Sequence, residues 1–272
     1  MSEEIVKAAE RIEALAWADL FDATPELRDE LGLEVAALDQ ARVVSGRRLD
    51  SLMFNRAIGF ASDQPQAVKF AIDHFAKRGI DRYLLHVRTT THDAEFEALL
   101  EQNRIERYRR AWDKFVRGAE PPPTVATELS IREARPDDAE RVARLLASAF
   151  DTGENEGRLF VAAIGRKGWH TFVATDAEDR PVALGSLFAN AELGYLGFAA
   201  TDPAFRRRGA QGALMVRRIE RALELGCRFT ITETGEPVPG EKSPSRDNML
   251  RLGFRCAYRR ENYVPVGTRW IR

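Results

Sequence analysis

Cysteine is nearly absent from this chain: Cys227 and Cys256 are the only two in 272 residues. Two cysteines cannot build a disulfide framework, and four histidines without close pairing carry no metal-ligand signature. An excess of either charge is missing as well. The 41 basic residues stand against 42 acidic ones, a net of −1, which removes the global electrostatic case for nucleic acid or a membrane surface. The local basic runs at 107–110 and 206–208 are too short to reverse that. No apolar run approaches the length of a membrane span, and the start Ser2-Glu3-Glu4-Ile5 is acidic and amphipathic, unlike a signal peptide. The cytoplasm is the expected compartment, with no metal, membrane or nucleic-acid partner.

The chain is long enough for two domains, each burying its own core. Pro121-Pro122-Pro123 stiffens the backbone and bars regular ladders, so 121–127 is the expected linker between a domain at 1–120 and one at 128–272. In the first half the pattern predicts a helix over 2–20, extended segments at 41–49 and 52–60, and a helix from Pro65 stopped by Gly79. A strand at 82–87, a helix at 93–103 and a closing strand at 107–116 follow. In the second half 129–134 alternates as a strand, and Pro136-Asp137-Asp138 opens a helix with acidic residues where its dipole favours them. A short helix at 157–164 and strands at 169–174, 182–188 and 193–201 follow, giving an α+β domain with a central mixed sheet flanked by helices.

The most informative stretch comes next. Apolar Tyr195 to Ala200 runs into Thr201-Asp202-Pro203-Ala204-Phe205-Arg206-Arg207-Arg208-Gly209-Ala210-Gln211-Gly212, and then into helical periodicity with Leu214, Ile219, Ala222, Leu223 and Leu225 on one face. A strand, a lean basic turn and a helix start together grip phosphate. First-turn amides point at the anion, the dipole favours it, and Arg206, Arg207 and Arg208 add charged donors. Gly-Lys-Ser/Thr and G-x-G-x-x-G are both missing, which excludes the common nucleotide loops.

Arg206-x-x-Gly209-x-Gln211 resembles the acetyl-CoA diphosphate loop of the GCN5-related N-acetyltransferase (GNAT) superfamily, with Gln211 where that family most often carries Gly or Ala. The order after it is also similar: a helix ended by Gly226, a strand at 228–234, a loop rich in Gly and Pro, a short helix at 245–252, and a closing strand or hairpin at 253–264. The resemblance covers about 128–272. It implies the acyl-CoA N-acyltransferase fold, acetyl-CoA as co-substrate, and direct acyl transfer to an amine, most simply of a small molecule. The first half echoes the order of elements without a basic, Gly-bearing turn. It is either a degenerate copy of that fold, making a tandem arrangement, or an unrelated α/β cap.

The resemblance assigns Phe198, Ala199, Ala200 and Thr201 to the pantetheine arm. It assigns Arg206, Arg207, Arg208, Gly209, Ala210, Gln211 and Gly212 to the diphosphate, and Asn248 to pantetheine or to the start of its helix, where Ser245 reads as the N-cap. Glu233, late in the strand beside the expected gap, is the candidate base, against a plain role bonding loop amides or an arginine. The short helix lacks the tyrosine that many relatives use as acid, leaving Tyr258 as a weak substitute against ordinary aromatic packing. His170 reads as packed or solvent-facing. Cys227, beyond a helix C-terminus, is a poor nucleophile, and Cys256 reads as core. A catalytically silent CoA-binding module and an arginine-loop protein docking an acidic partner are the competing readings.

Overall fold

A computed structural model describes residues 2–22, 24–49, 51–90, 94–108 and 110–269. The chain separates into two compact units, Met1–Lys114 with Ala257–Arg272, and Phe115–Cys256. These bounds differ from the halves at 1–120 and 128–272 expected around the prolines. Strand pairing, not proline content, sets the division, because residues from Ala257 onward pair with first-unit strands.

The first unit holds α1 (Glu3–Phe21), α2 (Pro25–Leu31), β1 (Leu33–Leu38), β2 (Ala41–Gly46), β3 (Arg56–Ala61), α3 (Pro65–Arg78), β4 (Leu84–Arg88), α4 (Ala94–Gln102) and β5 (Ile105–Arg107). Antiparallel β1, β2 and β3 are followed by the crossover helix α3 and a β4 parallel to β3. α3 starts where its sequence says: Pro65 occupies the first helical position, and Gly79 caps the end in the left-handed region at φ 67°. β1 and α2 were not expected. Leu33-Glu34-Val35-Ala36-Ala37-Leu38 has the composition of a helix, and only its full register against β2 (Leu33↔Gly46 to Leu38↔Ala41) makes it a strand.

β6 (Trp112–Arg117) crosses the boundary and neighbours β11 in the sheet order. The second unit continues with β7 (Ser130–Glu133), α5 (Ala139–Phe150), α6 (Glu154–Val161), β8 (Trp169–Thr175), β9 (Pro181–Asn190), β10 (Leu193–Thr201), α7 (Ala210–Glu224), β11 (Phe229–Gly235) and α8 (Pro244–Arg251). Beyond Cys256, β12 (Arg255–Pro265) belongs to the first unit, antiparallel to β4 and β5 through Tyr263. β7 to β10 are successive antiparallel neighbours, and β10 and β11 are parallel. α7 buries Leu214, Met215, Ile219 and Ala222. Leu225, expected on that face, is the C-cap and stays 39 % exposed.

The two units repeat one order, from β1 in the first and from β8 in the second: three antiparallel strands, a crossover helix, a parallel strand and a further helix. They differ in the parallel ladder. β3 and β4 pair from Arg56↔Leu84 to Ala61↔Arg88, and the Ser62 amide extends the pairing to Arg88 O at 3.0 Å. β10 and β11 pair only from Leu193↔Phe229 to Tyr195↔Ile231. Among the described residues no helix is long and apolar enough to cross a membrane.

Candidate functional site

The fork between β10 and β11 opens where β10 changes register. Gly197 faces Ser186 but Ala200 faces Leu184, so β10 carries one extra residue there, a bulge. Phe198 sits in it at φ 50°, a conformation bulky residues rarely hold outside functional sites. The Thr232 hydroxyl donates to Leu196 O at 2.9 Å and pins the crotch of the fork. Beyond it a cleft of about 620 Å³ opens, within the size range of ligand sites.

Ala199, Ala200 and Thr201 line one wall of this cleft, and Arg206, Arg207, Gly209, Ala210, Gln211, Gly212 and Asn248 line its mouth. The turn is shaped by Asp202, whose carboxylate accepts from the Ala204 amide, and by two left-handed residues, Arg207 (φ 64°) and Gly209 (φ 80°). Gly209 is the α7 N-cap and brings no side-chain cap, so the dipole and first-turn amides of a 15-residue helix face the mouth. The lining contains four arginines, 206, 207, 218 and 251, and no aspartate or glutamate. Such a surface accepts a polyanion.

Gly209 lines the cleft and also meets a second constraint. A Cβ there would stand 2.4 Å from Ala126 O, so the absent side chain also makes room for the segment after the prolines. Gly212 is likewise crowded by Val125, 3.0 Å from a hypothetical Cβ, and Val125 itself lines the cleft. Gln211, the departure from the expected loop, bridges two helix starts: its Nε2 donates to Ser245 Oγ at 3.1 Å, and Asn248 Nδ2 donates to its Oε1 at 2.7 Å. Arg251 Nη1 donates to Asn248 Oδ1 at 3.1 Å. The N-cap of α8 is Ser243, not Ser245, because Pro244 takes the first helical position.

Other expected residues lie elsewhere. The Phe198 ring packs on Phe160 at 4.4 Å and Trp169 at 5.8 Å and does not line the cleft. The Arg208 guanidinium lies over the Phe205 ring at 4.9 Å, and its carbonyl accepts from the Thr127 hydroxyl. Glu233 is half-buried on β11 past the last ladder pair, accepting from the Tyr195 hydroxyl at 3.4 Å, and does not line the cleft. Tyr258 falls in the first unit, where its hydroxyl donates to Glu10. Burial and the Glu10 charge push its pKa well above the usual 10. His170 Nδ1 lies 3.2 Å from Glu133. Cys227 is buried with its pKa raised by burial, whereas Cys256, expected in the core, is exposed because its strand starts at the surface.

Arg218 escaped the sequence reading. It is 1 % exposed and lines the cleft. Its signal was there: an arginine one turn from both Leu214 and Ala222, on the buried face of an amphipathic helix.

No family model matches the chain, and no curated protein matches it. Solved structures do. A GCN5-related N-acetyltransferase from Kribbella flavida aligns over 92 % of this chain and 96 % of its own at 12 % identity, with a TM-score of 0.61. One from Sphaerobacter thermophilus aligns over 94 % and 92 % at 15 % identity and 0.58. The fold is that of the GCN5-related N-acetyltransferases. The tandem GNAT protein of the clavulanic acid biosynthesis pathway, solved without acetyl-CoA, aligns over 93 % and 94 % at 16 % identity and 0.55, so the likeness in fold spans both units. Among the described residues no three His, Cys, Asp or Glu side chains are grouped to hold a metal ion.

Proposed function

We propose that the protein is an acyl-CoA-dependent N-acyltransferase that moves an acetyl or related acyl group directly to an amine of a small molecule. The observation that carries this is the fork: a parallel pair that parts after Tyr195↔Ile231 and opens into a carboxylate-free, arginine-lined helix mouth. The loop at 206–212 would hold the diphosphate of coenzyme A through Arg206, Arg207 and the first amides of α7. The strand edge at 199–201 would take the pantetheine amides, since Ala199 and Ala200 leave that edge open. When bound, the thioester supplies an activated acyl carbon. Glu233, held by the Tyr195 hydroxyl outside the cleft lining, accepts through water the proton that the attacking amine gives up. The first unit, whose parallel ladder stays closed, shapes or supports the structure and holds no second cofactor. A cytoplasmic place of action fits this chemistry.

Isothermal titration with acetyl-CoA tests the reading. Arg206 and Arg207 are exposed, so the double substitution Arg206→Ala, Arg207→Ala should leave the fold intact and weaken binding at least tenfold. A folded wild-type protein that ignores acetyl-CoA refutes the proposal. A second reading, a CoA-binding module without turnover, is favoured by the lack of any tyrosine in the cleft lining. Thiol release from acetyl-CoA across a panel of amines separates the two, since the silent module binds and never turns over.

A further inference from the structure

Among the described residues Arg218 is a charge without a countercharge. Nε donates to Leu214 O at 3.1 Å, and Nη1 donates to Ser186 O at 3.2 Å and Gly197 O at 3.4 Å. All three acceptors are backbone carbonyls, and among the described residues Nη2 has no hydrogen-bond partner. Burial lowers its pKa to about 10 and no neighbouring carboxylate offsets this, so the group stays cationic at neutral pH. The room for it is built in. A Cβ at Gly185 would stand 2.7 Å from the guanidinium carbon. A guanidinium stranded in a protein interior is unfavourable unless an anion meets it.

Its position says which anion. Gly197, whose carbonyl it binds, is where β10 leaves register, so Arg218 lies level with the bulge. Eight residues of helix, ~12 Å, separate it from Ala210 at the phosphate-binding mouth. One phosphate group cannot serve both points. On the reading above, the loop takes the diphosphate and the acyl end of the donor reaches the bulge.

We infer that Arg218 selects the acyl chain by pairing with a carboxylate at its far end, so that the donor is the CoA thioester of a short dicarboxylic acid. The transfer itself is unchanged. The acyl carbon's bond to sulfur breaks and its bond to nitrogen forms, and the amine proton passes by way of Glu233 and water to the departing thiolate, so that free thiol is the other product. The terminal carboxylate is a spectator held by Nη2.

This rests on the proposed function, and titration without acceptor keeps the two separable. Succinyl-CoA and butyryl-CoA have acyl chains of equal carbon number and differ in the terminal charge. Wild-type protein should bind succinyl-CoA roughly tenfold or more tighter than butyryl-CoA. Arg218→Met should bring that ratio to about one, and Arg218→Lys should keep part of it. If the methionine variant does not fold, the wild-type ratio and the lysine variant decide. A wild-type ratio near one, with both thioesters binding, overturns the role of Arg218 and leaves the acyltransferase reading standing. If no CoA species binds, both fall.

Discussion

Gly209 meets two constraints at one atom. Its φ of 80° disfavours any side chain, and a methyl group there would stand 2.4 Å from Ala126 O. Gly209→Ala should therefore destabilise by about 2 kcal/mol or more in urea unfolding, since left-handed strain alone contributes about 1–3 kcal/mol. A variant within 0.5 kcal/mol of wild type would mean that the 125–127 segment yields freely. The same crowding makes Gly209 a poor probe of phosphate binding, because its loss disturbs the packing first. Arg206 and Arg207 are cleaner probes: both side chains are exposed. At this scale the loop was legible. Arginines and a glycine just before a helical apolar stripe read the same way in sequence and in space. Arg218 was less legible, because an arginine in a helix ordinarily faces solvent.

The decisive element-scale feature is the length of a parallel ladder. β3 and β4 pair to their ends across a register shift between Ala57 and Phe60, while β10 and β11 stop after three residue pairs, short of the bulge that β10 makes against β9. Main-chain groups that the first unit spends on itself are left, in the second, for a ligand that pairs like a strand. Ala199 is exposed on that open edge and lines the cleft. Ala199→Leu should leave unfolding stability within about 0.5 kcal/mol and cut affinity for acetyl-CoA by roughly tenfold through steric blocking. Unchanged affinity would move the pantetheine arm off this edge. Helix starts and stops at Pro65, Gly79, Gly209 and Gly226 could be read from residue type. β1 could not, because its alanine-rich sequence becomes a strand only through its partner.

At the scale of the whole molecule, each unit takes a strand from beyond the linker: Phe115 to Arg117 serves the second, and Ala257 onward serves the first. The first unit also buries a charged cluster of Glu10, Glu13, Arg56, Lys114 and Arg260 around His86. Burial raises the Glu13 carboxyl, but Arg260 and Lys114 outweigh it and leave its pKa well below the usual 4.5. His86 is fully buried beside Arg56 and Arg260, and its Nδ1 lies 2.7 Å from Asn262 Oδ1. Burial, then those two charges, hold its pKa well below 6.5. A base with a depressed folded-state pKa favours the native state above its unfolded value, and that stability drains as pH falls from 6.5 toward the folded value. His74, also lowered by burial, acts in the same direction. Stability should thus drop between pH 7 and 5, with up to about 2 kcal/mol of the loss due to His86. His86→Gln should flatten that part of the profile in urea titrations. An equal slope in the variant would show that His86 is protonated in the folded protein.

What the sequence determined by itself was local: the helix boundaries set by proline and glycine, the amphipathic face of α7, and a basic turn at a helix start. Each follows from the backbone preferences and periodicity of adjacent residues. Tertiary structure alone decided which strands pair, where β10 and β11 part, and that Arg218 is buried in the cleft wall with no carboxylate beside it among the described residues. Those depend on register between segments far apart in the chain, and no stretch of residues carries its own partner's position.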